Sequence, residues 1–314
     1  MAEFPATPSI LDPRLLSATQ GLALTARRLV AGALTGLHAS RRPGLAREFS
    51  QYRAYQPGDE PRQIDWKLFA RSDRYFLRES EVEARVAVSL VLDATGSMQH
   101  SDDADGHRKF DRARALGAAL ALLAENQGDE MNLHVIGNGG VTSLSTAGHR
   151  QPFLRIVHSL GKLEPSGRWP EDRTCLAQAF RRTELESASR GPAATVRLTL
   201  VLTDGHEHGG EIRAALAPLR VRQHEVIFFH FTAPDERDFP FQGSVRFEEW
   251  ETGRILEVNA TAVRGAYLAA TQRVREAWRR AWGDDSFDYV TVMTDEDLAQ
   301  GLRAYLRRRM QRQQ

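Results

Sequence analysis

The strongest constraint on the fold is the segment Val86–Met98, VAVSLVLDATGSM, in which an apolar run ends abruptly in oxygen-bearing side chains. The run Val86–Leu92 is short and rich in valine and leucine, which is typical of a strand buried on both faces in a parallel sheet. Directly after it come Asp93, Thr95 and Ser97 at alternate positions, with a glycine between the two hydroxyls. A sharp turn at a strand end can direct these three oxygens to one point. The segment therefore predicts a site for a hard cation.

The remainder of the chain alternates strand-like and helix-like segments. This alternation predicts an α/β fold with a doubly wound, mainly parallel sheet flanked by helices. A second buried strand is predicted at Thr195–Thr203, and like the first it ends in an aspartate, Asp204. Residues 234–262 interrupt the rhythm, because Phe247–Thr252 and Ile255–Val258 resemble two short strands joined across a glycine. We expect a small β insertion there.

The N-terminal part of the chain is predicted to fold against the main domain. Leucines recur every seven residues in a helix predicted from Asp12 to about Ala33. Farther on, Asp59–Trp66 interleaves charged and aromatic residues, which suits either a partner surface or a buried network. We favour the structural interpretation, because such side chains can satisfy one another. The predicted division is an N-terminal region, 1–84, and a main domain, 85–314.

Composition excludes several classes of function. The 314 residues carry a formal charge of +1, so no strong overall field attracts nucleic acid or a membrane surface. The most apolar N-terminal stretch, Gly21–Leu37, is interrupted by Arg27-Arg28 and is too short to cross a membrane. The first residues, MAEFPATPS, do not have the pattern of a secretory signal. Together with the single cysteine, Cys175, these features lead us to expect a soluble cytoplasmic protein.

Three predicted strand-end loops supply oxygen ligands that are expected to converge. Ligands of a doubly wound sheet bind at the carboxyl ends of its strands, where the strand order reverses. Few charged ligands and several hydroxyls suit octahedral Mg²⁺ or Mn²⁺ with bound waters. The predicted metal ligands are Asp93, Thr95, Ser97, Thr174 and Asp204.

An enzymatic interpretation is the alternative. Asp204, His206 and His208 are close in sequence and could serve a metal-assisted hydrolase. However, histidines two residues apart in a glycine-rich loop do not form a closed metal-site motif. Cys175 adjoins Thr174, but the sequence places no partner histidine beside it, so a small buried side chain is favoured over a nucleophile. We therefore expect no enzymatic activity.

The loop pattern resembles the metal-ion-dependent adhesion site of von Willebrand factor A domains. The resemblance rests on Asp-x-Ser/Thr-x-Ser after a buried strand, Thr-x-Leu-x-x-Ala before a helix, and Thr-Asp-Gly after another buried strand. Thr95 stands where serine is usual, and it keeps the hydroxyl. By this resemblance Ser97 and Thr95 bind the ion directly, and Asp93 and Asp204 act partly through water. A partner's Asp or Glu then completes the coordination sphere.

The block before the first strand resembles the signature of the domain-of-unknown-function 58 family. The matching residues are Phe49, Arg53, Tyr55, Pro57-Gly58-Asp59, Arg62, Ile64-Asp65-Trp66, Ala70-Arg71 and the run Glu79–Glu83. Members of that family are commonly encoded beside MoxR-type AAA+ ATPases. The resemblance implies a cytoplasmic, chaperone-like interaction module that acts with such an ATPase or its client protein.

Overall fold

A computed structural model of the protein describes residues 13–38, 51–55, 64, 66–79, 86–102, 107–189, 196–207, 209–221, 225–281, 287–303 and 306. The chain divides into two compact units, one formed by Leu37–Ala84 and one by Met1–Gly36 together with Arg85–Gln314. The expected boundary after residue 84 coincides with the end of the smaller unit, whereas the N-terminal helix groups with the larger one.

The helices and strands follow one another along the chain with bounds close to those expected. They are α1 (Pro13–His38), β1 (Gln51–Ala54), α2 (Trp66–Ser72), β2 (Phe76–Glu79), β3 (Val86–Asp93), α3 (Lys109–Gln127), β4 (Glu130–Gly137), β5 (Gly140–Ser145), α4 (Pro152–Gly161), α5 (Cys175–Ala188), β6 (Val196–Thr203), α6 (Glu211–Val221), β7 (Glu225–Thr232), α7 (Pro234–Asp238), β8 (Ser244–Glu248), β9 (Ile255–Asn259), α8 (Ala260–Ala281) and β10 (Phe287–Met293).

The larger unit is built on a six-stranded sheet in the order β10-β7-β6-β3-β4-β5. All neighbours are parallel except β5, which pairs antiparallel with β4 at one edge. Numbered within this sheet along the chain, the order is 3-2-1-4-5-6 read from β5, the arrangement of doubly wound nucleotide-binding folds. The predicted fold class is therefore confirmed, and the strand order reverses between β3 and β6.

The two central strands are buried on both faces, as their sequences predicted. Leu90, Val91 and Leu92 of β3 have no exposed surface, and the alanine-rich helix α3 is buried along most of its length. On β7, Phe228 stacks on Trp278 of α8 with ring centroids 4.7 Å apart. Full burial of each large apolar side chain contributes about 1.5–3 kcal/mol. This core fixes the carboxyl ends of β3 and β6, where the candidate site begins.

Helix α1 differs from its predicted form in length and in its buried face. It continues to His38, beyond the Gly36 that we expected to end it. Its small residues are buried rather than its repeated leucines, namely Ala23, Ala26, Val30 and Ala33. A side chain added at Gly32 would lie 3.8 Å from Ala299. Close approach of the helix backbone to its neighbours therefore accounts for the alanine face.

The predicted β insertion is present as a separate two-stranded antiparallel sheet of β8 and β9. The first strand is Ser244–Glu248, so the predicted strand Phe247–Thr252 was displaced toward the C-terminus. The backbone turns there: Gly253 has a φ of 71° and its N–H donates to the Glu249 carbonyl at 2.8 Å. Aromatic contacts among Phe239, Phe241, Phe247 and Tyr267 join the hairpin to α8.

The smaller unit pairs β1 with β2 in antiparallel register. Beside this ribbon, the rings of Phe69 and Tyr75 stack at 4.5 Å, and Trp66 meets both rings edge-on. Most of the block Asp59–Trp66 lies outside the described residues, so the choice between a partner surface and a structural network stays open.

Candidate functional site

The candidate site lies where the strand order of the main sheet reverses. Asp93 is the last residue of β3, and Asp204 directly follows β6. The two strands are hydrogen-bonded neighbours, with Leu92 opposite Leu202. The loops that follow them therefore leave the same edge side by side, which is where doubly wound sheets bind their ligands.

Asp93 is buried and fully engaged by hydrogen bonds. Its Oδ1 accepts the Thr95 backbone N–H at 2.9 Å. Its Oδ2 accepts the Trp169 indole N–H at 2.9 Å and the Thr203 hydroxyl at 2.5 Å. Burial, reinforced by the negative charge of Asp204, raises the pKa of Asp93 to about 6, although these hydrogen bonds oppose the rise. Asp93 thus anchors the loop while retaining a high proton affinity.

The hydroxyls of Thr95 and Ser97 are brought together as predicted. Their oxygens lie 3.1 Å apart in a buried position, at a 3-10 turn over Gly96–Gln99. Two neighbouring ligands of an octahedral Mg²⁺, each about 2.1 Å from the ion, are separated by about 3 Å. The spacing therefore fits two adjacent ligand positions on one such ion.

Gly96 allows this turn to lie under its neighbours. Its N–H donates to the Gly167 carbonyl at 2.8 Å. A Cβ atom at this position would lie only 2.8 Å from the Trp250 carbonyl oxygen in the β8–β9 connection. The glycine between the two hydroxyls is therefore required by close approach of the insertion.

Asp204 meets a lysine that sequence reasoning did not include in the site. Its Oδ1 accepts the His206 backbone N–H at 3.1 Å, and its Oδ2 accepts the Lys109 ammonium at 2.7 Å. Lys109 also donates to Glu236 of α7 at 2.7 Å. Burial alone would raise the pKa of Asp204, but the charge and hydrogen bond of Lys109 lower it to about 2. Asp204 is therefore an ionised carboxylate held by an internal cation.

Thr174 lies differently from the other four predicted ligands. It is exposed just before α5, and its hydroxyl donates to Asp172 Oδ1 at 2.7 Å while accepting from the Gln178 amide at 2.9 Å. Its backbone N–H donates to the same Asp172 oxygen at 2.8 Å. The structure thus uses Thr174 in a local hydrogen-bonded turn, and its role as a ligand stays a prediction.

The residues of the hydrolase alternative are partly described. The side chain of His206 is largely exposed, and its Nε2 lies 3.6 Å from Glu249 Oε1. His208 lies outside the described residues. Cys175 is half-buried, and burial raises the pKa of its thiol. A raised pKa lowers the thiolate fraction on which nucleophilic attack by cysteine depends.

A cavity of about 920 Å³ opens beside the strand ends. Ser97, Lys109 and Asp204 line its polar end, and aromatic and aliphatic residues of the hairpin and α8 line the rest. Leu256 and Val274, on opposite walls, are 52% and 50% exposed. Such a cavity, mostly apolar with a few convergent polar groups, is typical of a binding site.

The donor chemistry decides which ion the residues could hold. Among the described residues, no group of three or more His, Cys, Asp or Glu side chains could hold a metal. The available donors are instead the Thr95 and Ser97 hydroxyls, with Asp93 and Asp204 near enough to act through water. Oxygen donors of this kind fit Mg²⁺ or Mn²⁺ and not a softer metal.

Comparison with curated proteins and solved structures gives remote relatives. The uncharacterized protein Rv1480 of Mycobacterium tuberculosis is 27% identical over 293 residues, covering 91% of this chain and 87% of its own length. The BatB structure from Bacteroides thetaiotaomicron has a TM-score of 0.43 at 16% identity, covering 70% of this chain and 97% of that one. An aerotolerance-related membrane protein from Bacteroides fragilis gives 0.44 at 18%, covering 72% and 99%.

A further match is the VWA domain of SpRpn10, with a TM-score of 0.38 at 13% identity, covering 69% of this chain and 94% of that one. Across the part of the chain that the structure describes, no helix has both the length and the apolar character needed to cross a membrane. A family model described as "Protein of unknown function DUF58" matches residues 51–277, which is most of the chain. The protein is therefore a member of the DUF58 family.

Proposed function

We propose that the protein is a non-enzymatic interaction module that receives an acidic side chain of a partner at the edge where β3 and β6 end. The single observation that carries this proposal is the pair of buried hydroxyls, Thr95 and Ser97, 3.1 Å apart at the switch point of the sheet. A Mg²⁺ or Mn²⁺ ion held there supplies a positive charge with an open coordination position for a carboxylate.

The chain's own residues divide the work of such a site. Thr95 and Ser97 present their oxygens directly, and Asp93 fixes the loop through its bond to the Thr95 N–H. Asp204 supplies negative charge from the neighbouring strand end. Because few charged ligands surround the ion, it retains affinity for an outside carboxylate. The adjacent cavity accepts the apolar residues that flank the partner's acid.

The partner class is proposed from the family resemblance. It implies a MoxR-type AAA+ ATPase, or a client that such an ATPase helps to assemble or mature, and a cytoplasmic location. We infer no membrane insertion and no nucleic-acid partner. An adjacent reading frame with a Walker A motif, G-x-x-x-x-G-K-[ST], would identify the ATPase to be tested.

The decisive experiment measures binding of the purified ATPase to the purified protein in Mg²⁺ and in chelator. We expect binding to weaken at least tenfold in chelator, and Ser97→Ala and Asp204→Asn to reproduce that loss in Mg²⁺. Ser159→Ala is the matched control, because its hydroxyl bonds only a helix carbonyl on α4. Binding that survives both chelator and the two site variants would refute the adhesion-type mechanism.

The hydrolase alternative is tested separately with Asp204, His206 and His208. The exposed position of His206 does not bring it into the hydrogen-bonded group around Asp93. Metal-dependent hydrolysis of ester or phosphate substrates, abolished by His206→Ala with the fold intact, would replace the interaction proposal by an enzymatic one.

A further inference from the structure

Lys109 occupies a position that helix electrostatics disfavours. It is the first residue of α3, a helix of 19 residues, and only 2% of it is exposed. The N-terminus of a helix carries partial positive charge and favours anions, so a buried ammonium there is destabilised by both burial and the dipole. Its placement requires strong compensation from nearby carboxylates.

Two carboxylates from different elements provide that compensation. Asp204, after β6, and Glu236, on α7, each accept a hydrogen bond from the Lys109 ammonium at 2.7 Å. The other oxygen of Glu236 accepts the Ala233 N–H at 2.8 Å, which fixes the carboxylate at the start of α7. Lys109 therefore bridges the strand-end site to the helix that begins the insertion.

We infer that Lys109 is a tethered cation that competes with the divalent ion for Asp204 and so sets the affinity of the site. This inference rests on the proposed function. Two cations that share one buried carboxylate repel each other, and the lysine is already in place. Glu236 gives the ammonium a second anchor when the ion takes up the negative charge of Asp204. Ion binding is thereby coupled to α7 and to the cavity wall.

The competition predicts opposite effects for two substitutions. Lys109→Met removes the competing charge, so the divalent ion should bind more tightly. Glu236→Gln removes the second anchor and commits the ammonium to Asp204, so the ion should bind more weakly. The neighbouring acid on α7, Asp235, is the matched control because it pairs with His100 rather than with Lys109.

The experiment titrates Mn²⁺ into the full-length protein and follows free Mn²⁺ by electron paramagnetic resonance. Lys109→Met should tighten Mn²⁺ binding at least about tenfold, given the strength of charge repulsion at a buried site. Glu236→Gln should weaken binding by more than Asp235→Asn does. In the Lys109→Met background, Glu236→Gln should have no larger effect than Asp235→Asn, because its action passes through the lysine.

The outcomes separate this inference from the function on which it rests. Equal Mn²⁺ affinity in the wild type and in folded Lys109→Met overturns the inference and leaves the cation site standing. Absence of Mn²⁺ binding in both proteins overturns the cation site and the inference with it. If circular dichroism shows that Lys109→Met does not fold, the comparison of Glu236→Gln with Asp235→Asn decides, and equal effects refute the competition.

Discussion

Replacing Asp93 by asparagine isolates the electrostatic effect of an ionised carboxylate buried at the end of β3. In the wild type, burial and the charge of Asp204 raise the pKa of Asp93 from 3.8 to about 6. The folded protein therefore retains a proton on Asp93 at pH values where the unfolded chain has released it. Raising the pH through this interval favours the unfolded chain, which binds fewer protons.

The magnitude follows from that difference in proton affinity. Each pH unit between the two pKa values corresponds to about 1.4 kcal/mol, so the free energy of unfolding should fall by about 3 kcal/mol between pH 4 and pH 7 because of Asp93. Asparagine does not titrate. The variant lacks this decrease, so its stability relative to the wild type should rise by about 3 kcal/mol over the same range.

The assay is urea unfolding of both proteins at intervals from pH 4 to pH 7, in chelator so that no cation contributes. Asp204→Asn provides an internal check, because removing that charge should lower the pKa of Asp93 and reduce the decrease. Parallel pH profiles for the wild type and Asp93→Asn would refute the reasoning, since they would show that Asp93 titrates alike in the folded and unfolded protein.

Three further predictions concern the stability of the fold around the site. Lys109→Met should lower the free energy of unfolding by about 3–5 kcal/mol, because it leaves two carboxylates without their shared cation, whereas loss of the exposed Arg280–Glu276 pair in Arg280→Met should change it by less than about 1 kcal/mol; urea titration compares the two. Gly96→Ala should destabilise the protein by about 1–3 kcal/mol, because its Cβ would meet a backbone oxygen, and an unchanged melting temperature would contradict this. Phe228→Ala should lower the free energy of unfolding by about 3–5 kcal/mol, as calorimetry can test, because the ring stacks within the buried core.

Local sequence was sufficient for the elements that position the site. β3 and β6 are continuous apolar runs with a polar residue at each end, so their bounds and their burial follow from composition. The hairpin was predicted less well, because Trp250 and Thr252 have strand propensity, whereas the backbone turns at Gly253. Helix α1 was misjudged for a related reason: its packing favours small residues that let helices approach closely, which a search for leucines overlooks.

The site was predictable only in part, because its remaining members come from distant segments. Asp93, Thr95 and Ser97 lie within one loop and were recognisable from spacing. Lys109 is 95 residues from Asp204 and 127 from Glu236 in sequence, and a lysine at the start of an alanine-rich helix has no local signal of burial. Trp169, the indole donor to Asp93, likewise lies in a loop that gave no reason to select it.

The contact between Gly96 and the Trp250 carbonyl also bears on the order in which the protein becomes functional during synthesis. The loop after β3 leaves the ribosome early, but the hairpin that closes over it is translated more than a hundred residues later. At typical elongation rates of about 5–20 residues per second, the delay is on the order of ten seconds. Throughout that interval the nascent chain presents the Thr95 and Ser97 loop without its cover. A binding-competent edge therefore arises only after α7, β8 and β9 have emerged, which delays partner engagement until most of the sheet has been synthesised.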